Sequence, residues 1–102
     1  MRDALKGNVD LLLSALEDDP AHGYELVETL REQSEGEFDL AEGTVYPSLY
    51  RLERRGLVAS GWENVVGRRR RVYRLTKSGR RALEKKRSEW RAFTRAMEAV
   101  VT

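Results

Sequence analysis

The 102-residue sequence predicts a mainly α-helical fold with a small β-hairpin and one long helix at its C-terminal end. Three observations carry this. Before Gly56, three stretches repeat their apolar residues at helical spacing. From Leu57 to Thr76 the pattern switches to alternating Val, Trp and Tyr on either side of Gly67. Beyond Thr76, apolar residues recur every seven positions almost to the last residue.

The first helical stretch, NVDLLLSALE from Asn8 to Glu17, is apolar on several sides through Val9, Leu11, Leu12, Leu13, Ala15 and Leu16. A helix so composed is buried on more than one face. Asn8 is placed to cap it, because its side-chain oxygen can accept from a free amide of the first turn. Asp18, Asp19 and Pro20 end it. In the second stretch, AHGYELVETLREQSEG, Tyr24, Val27, Leu30 and Arg31 share a stripe with Leu26 beside it, and Gly36 supplies the stop. Tyr24 is expected to pack its ring into the core. His22, the sole histidine, is expected to help start this helix, since a metal or proton-transfer role would need partners the chain lacks.

A linker, EFDLA, leads to the third stretch, EGTVYPSLYRLERRG from Glu42 to Gly56. Val45, Leu49 and Leu52 form its inner face, and the other positions carry Thr44, Tyr46, Ser48, Tyr50, Arg51, Arg54 and Arg55. Pro47 lies inside it. A mid-helix proline costs ~3 kcal/mol, and the cost shrinks only among the first amides, which lack intrahelical partners. A helix starting at Glu42 puts Pro47 just past that zone, so a kink or a tightened first turn is expected.

The stretches LVASGWENVV and RRRVYRLT read as a two-stranded hairpin turning at Gly67. Tyr73 and Leu75 should face inward, and Trp62 should pack in the core or at the base of the hairpin. Alternation sends Arg69 and Arg71 to one face and Arg68 and Arg70 to the other. Three helices and a hairpin make a winged helix-turn-helix over residues 1–75.

Residues 76–102 form the long helix, capped by Thr76. About 24 residues at 1.5 Å each span roughly 36 Å, which overshoots a domain this small. Leu83, Trp90 and Met97 repeat every seven residues, with Phe93 and Val100 between them and Lys86 interrupting the seam. Such a narrow seam wants a second helix. Folding back on its own core is the alternative, and helix length and seam width favour a homodimer. The dimer contact is expected to use Leu12, Leu16, Leu83, Trp90, Phe93, Met97 and Val100, with this helix packed on residues 8–17 of its partner.

Charge is split along the chain. Up to Glu42 there are 3 Lys/Arg against 12 Asp/Glu; from Gly43 onward there are 16 against 5, so −9 faces +11. The split fits either an anion-binding surface on an acidic body or two solvated faces that attract each other. No nucleophile–base set, metal cluster or phosphate loop is present, so no enzyme and no cofactor are expected. The absence of cysteine and of any membrane-length apolar run leads to the expectation of a cytoplasmic protein without a membrane partner.

In order along the chain, HGYELVETL, EGTVYPSLYRLERRGLV and GRRRRVYRLTKSGRRAL resemble the PadR family of bacterial and archaeal transcriptional regulators, from about Val9 to the last helix. The single helix after the wing resembles the compact subgroup that includes multidrug-responsive repressors. The resemblance implies a homodimer on a roughly palindromic double-stranded DNA operator, often repressing, with the third helix in the major groove. It assigns Thr44, Tyr46, Pro47, Ser48, Tyr50 and Arg51 to DNA, although partial burial is an equal alternative for Tyr50. Arg68, Arg69, Arg70 and Arg71 would meet phosphates or a narrow minor groove from the wing. It also implies a flat pocket for a small aromatic effector, formed by Trp90 and Phe93 with Leu12 or Leu16. A plain dimer-core aromatic is an equal reading of Trp90. A winged helix that binds protein without reading DNA is the alternative function.

Overall fold

The computed structural model describes residues 11–102. The described part of the first helix, α1, covers residues 11–15, and the expected Asn8 cap lies outside the described residues. There follow β1 (Ala21–His22), α2 (Gly23–Gln33), α3 (Glu42–Arg54), β2 (Val58–Val65), β3 (Arg68–Leu75) and α4 (Lys77–Val101). The expected two-stranded hairpin is a three-stranded antiparallel sheet in the order β1-β3-β2. Ala21 and His22 pair with Tyr73 and Val72. A two-residue strand has no periodicity to read, so only the pairing partner reveals it.

The core gathers Leu12 and Leu13 from α1 and Leu16 from the turn after it, Leu26, Val27 and Leu30 from α2, and Val45, Leu49 and Leu52 from α3, closed by Val58, Tyr73, Leu75 and Leu83. On α2 the buried set is Gly23, Leu26, Val27 and Leu30, spaced i, i+3, i+4 and i+7. Tyr24, expected inside, is therefore one step off the buried stripe and stands 47% exposed. Arg31 also faces out and holds Asp39 of the following linker at 2.8 Å. His22 starts α2 through a capping box: its Nδ1 accepts from the Glu25 amide at 3.3 Å, and Glu25 Oε1 accepts from the His22 amide at 3.1 Å.

Both middle helices end in Schellman turns. In α2 the left-handed residue is Glu35 (φ 54°), with Gly36 donating back to the Arg31 carbonyl at 2.8 Å. The expected stop is thus shared between Glu35 and Gly36. In α3 the left-handed residue is Gly56 (φ 76°), and the Leu57 amide reaches the Leu52 carbonyl at 3.0 Å. That turn delivers the chain directly into β2.

The hairpin tip is Val66–Gly67, both with positive φ (50° and 74°). Two positive values make the primed turn that matches strand twist, for which Asn-Gly is preferred. A β-branched residue is strained there, and Val66 is 98% exposed, so no packing offsets the strain. Val66→Asn should raise stability by ~1 kcal/mol, seen as a higher urea midpoint at unchanged slope.

α4 is one continuous helix of 25 residues, and the molecule measures 52 × 28 × 23 Å. Thr76 caps it, its Oγ1 accepting from the Gly79 amide at 3.0 Å and donating to the Gly56 carbonyl at 2.6 Å. The root of α4 is also tied to the end of α1. Arg87 donates twice to the Glu17 carboxylate, at 2.7 and 3.1 Å, and Arg80 donates to the Glu17 carbonyl at 3.3 Å. The Arg87 hydrogen bond holds the Glu17 carboxyl below its ordinary 4.5. The bridge therefore contributes stability above that value and loses it as pH falls through the lowered folded value. As pH falls below 4.5 the wild-type melting temperature should fall more steeply than that of Glu17→Gln.

Candidate nucleic-acid interface

The buried set of α3 is Val45, Ser48, Leu49 and Leu52, again i, i+3, i+4 and i+7. Ser48 completes a stripe that the apolar residues alone left with a gap. It is 3% exposed, its hydroxyl donates to the Thr44 carbonyl at 2.8 Å, and it accepts from Arg51 at 3.2 Å. The structure thus places Ser48 on the inner face, where it offers nothing to a groove. A small polar residue fits there because the helix's own backbone satisfies its hydroxyl.

The opposite face carries Tyr46, Pro47, Tyr50, Arg51 and Arg54, all exposed, with Thr44 half-buried beside them. Arg54, on the open side in the sequence but outside the set that the resemblance assigns to DNA, stands four residues from Tyr50 as its neighbour. Its guanidinium lies 5.9 Å from the Tyr50 ring centroid. Tyr46 has a seat of its own: a Cβ on Gly23 would fall 2.5 Å from its ring, so the bare backbone at the start of α2 lets the ring lie flat. The helix runs unbroken through Pro47, and its first turn is tightened, with the Thr44 amide bonding the Ala41 carbonyl at 2.9 Å. Ala41 provides no side-chain cap to this first turn.

On the wing, cross-strand pairing sets the faces. Ser60, Trp62 and Asn64 oppose Tyr73, Arg71 and Arg69, while Gly61 and Glu63 oppose Val72 and Arg70. Arg69 and Arg71 do share a face, and Arg68 and Arg70 take the other. Tyr73 and Leu75 face inward as expected, at 6% and 8% exposure. Trp62 does not join the core. It is 55% exposed, with the guanidinium groups of Arg69 and Arg71 at 5.3 and 5.5 Å from its ring. Lying four pairs beyond Val58, the last buried residue of β2, it has left the core, and guanidinium groups lie over the ring instead. Arg71 also donates to Ser60 Oγ at 2.9 Å, and Ser60 donates to Glu53 of α3 at 2.6 Å. Arg68 and Arg69 are exposed, and Arg70 is half-buried.

The residues expected at a dimer contact separate into two groups. Leu12, Leu16 and Leu83 lie in the chain's own core, at 0%, 2% and 4% exposure. The short domain consumes them, because α1 and the first turns of α4 are what close it. Trp90, Phe93, Met97 and Val100 stand along α4 at 48%, 56%, 48% and 84% exposure. Their 3-4-3 spacing is that of a coiled-coil seam. Trp90 and Phe93 meet edge to face, centroids 5.9 Å apart and planes at 84°. The structure brings these two aromatics together and does not bring Leu12 or Leu16 to them on an open surface. Among the described residues no cluster of His, Cys, Asp and Glu could hold a metal ion, and no helix is long and apolar enough to cross a membrane.

The chain and its fold are similar to known proteins. The model of the transcriptional regulator PadR-like family matches residues 12–85. The transcriptional regulator Rv3488 of Mycobacterium tuberculosis is 41% identical over 84 residues, covering 81% of this chain and 76% of that protein. A crystal structure of a PadR family transcription regulator from Clostridium difficile superposes with a TM-score of 0.84 at 37% identity, covering 93% of this chain and 98% of that one. A transcriptional regulator from Clostridium thermocellum gives 0.86 at 28% identity over 100% and 98% of the two chains.

Proposed function

This chain belongs to the PadR-like family of transcriptional regulators, and from that premise we propose that it is a homodimeric, ligand-responsive repressor of a roughly palindromic operator. The carrying observation is the outward row of α3. Tyr46, Pro47, Tyr50, Arg51 and Arg54 are exposed together on a helix whose inner face is fully packed. A helix of this width enters the major groove with its early residues at base edges. Tyr46 and Pro47 present apolar edges that suit a thymine methyl, while Thr44 and the tyrosine hydroxyls suit phosphate or base acceptors. Arg51 and Arg54 add cations on the same side, and Arg68, Arg69 and Arg70 reach flanking phosphates from the wing.

The dimer reading rests on α4. Four exposed apolar side chains in coiled-coil register continue the helix beyond the core, and a helix with such a stripe packs on a second copy. Two copies related by a twofold axis present two α3 helices to two half-sites, which is the origin of an inverted repeat. The Trp90–Phe93 pair supplies flat aromatic surface at that seam, suited to a planar effector.

The test is selection of bound sequences from a random DNA pool, with and without planar aromatic compounds. An inverted repeat recovered by the intact protein, and lost with some of those compounds, is the expected result. Recovery of a single unrepeated site would sink the dimeric reading. No binding even at low salt would favour a winged helix that docks on protein.

A further inference from the structure

We propose that Glu53, Ser60 and Arg71 form a clamp that fixes the angle between α3 and the wing, making Arg71 a positioning residue and not a phosphate contact. The inference rests on the DNA-binding reading above. Glu53 sits in the last turn of α3, Ser60 in the first half of β2, and Arg71 in the middle of β3. Ser60 Oγ donates to Glu53 Oε2 at 2.6 Å, and Arg71 Nε donates to Ser60 Oγ at 2.9 Å. Arg71 Nη2 lies 3.8 Å from Glu53 Oε1. The Arg71 guanidinium also covers one side of Trp62 at 5.5 Å. One short network therefore ties together the three elements that must meet DNA in register.

Sequence treats the four wing arginines alike. The geometry separates Arg71 from the rest. Its edge is engaged by a hydroxyl and a carboxylate of its own chain, and its face by an indole. Its charge faces Glu53, so a phosphate drawn to Arg71 would compete with that carboxylate for the guanidinium. Arg69 lies against the same ring at 5.3 Å but stands two pairs nearer the tip, opposite Asn64.

Leverage makes the clamp matter. From Ser60 to Gly67 is seven residues, about 23 Å of strand, so a rotation of about 10° at the base displaces the tip by about 4 Å. Such a displacement exceeds the reach of a hydrogen bond, and it would move Arg68, Arg69 and Arg70 off their phosphates together.

The experiment compares Glu53→Gln, Arg71→Ala and Arg69→Ala in salt-titrated binding to the selected operator, with nitrogen-15 NMR of the Arg71 Nε–H in the free protein. Expected are a slowly exchanging Arg71 Nε–H and, for both Glu53→Gln and Arg71→Ala, binding weakened roughly three- to tenfold. The salt slope should be nearly unchanged in those two, while Arg69→Ala lowers it by ~0.9. Removing an acid near DNA would by itself strengthen binding, so a loss in Glu53→Gln reports position. Tighter binding with a steeper slope in Glu53→Gln would show that Glu53 merely masks Arg71 and would overturn the proposal. A slope loss of ~0.9 in Arg71→Ala would overturn it too. The two readings fail separately: no binding by the unsubstituted protein sinks the regulator reading, whereas binding with a fast-exchanging Arg71 Nε–H sinks the clamp alone.

Discussion

Replacing Arg68, Arg69 and Arg70 together by alanine should weaken binding to every DNA sequence by roughly a hundredfold at low salt, taking ~1 kcal/mol for each lost charged contact. The slope of log affinity against log salt should flatten by ~0.9 for each phosphate the three residues neutralise. Sequence preference should survive, because the outward row of α3 is untouched and phosphate contacts carry no base information. Folding should survive as well. Arg68 and Arg69 are exposed and Arg70 is half-buried, the strand ladder is backbone, and the tip is turned by Val66 and Gly67. Circular dichroism melting of the variant provides that control. An unchanged slope would remove the wing from the DNA interface.

Gly79→Ala should destabilise the fold through a clash with backbone. A Cβ at Gly79 would lie 2.0 Å from the Leu57 carbonyl oxygen, 3.0 Å from its carbon and 3.2 Å from a Leu75 methyl. The obstruction is backbone, so no side-chain rotation relieves it. The site joins three parts: the Schellman end of α3, the start of β2 and the Thr76 cap of α4, which reaches the Gly56 carbonyl. Alanine gains ~1 kcal/mol of helix propensity, but overpacking costs ~3 kcal/mol or more here. A net loss of ~2 kcal/mol lowers the melting temperature by roughly 10 °C in a domain of this size. Gly43→Ala is the matched control: nothing lies within 4 Å of its built Cβ, so its melting temperature should hold or rise slightly.

Both variants show which parts of the molecule can be read locally. The tightened first turn of α3 followed from Pro47 and the number of free amides. The Tyr73–Leu75 inner face, the separation of the arginines and the turn at Gly67 followed from period-two alternation and turn chemistry. The misreadings have a shared origin. Tyr24 shares a helical stripe with Val27 and Arg31, yet the buried stripe of α2 begins one residue earlier at Gly23, whose lack of a side chain is what admits Tyr46. Ser48 was placed outside because it is polar, yet it occupies the i+3 position of an apolar stripe. For Trp62 the sequence offers the core or the base of the hairpin, yet the residue stands out on the wing, four pairs beyond the buried Val58.

The sequence by itself determined the order of the helices and the hairpin, the capping and turn signals and the heptad pattern of α4, because each depends on residues within a turn or a strand pair of one another. Only the tertiary structure decided which residues of like chemistry were available. It sent Leu83 inward and left Trp90 on the surface, gave Arg71 to Glu53 and left Arg69 at the wing tip, and seated Tyr46 on Gly23. Those outcomes depend on what each side chain meets across the fold, and a neighbour twenty or seventy residues away leaves no periodic mark on the sequence that it contacts.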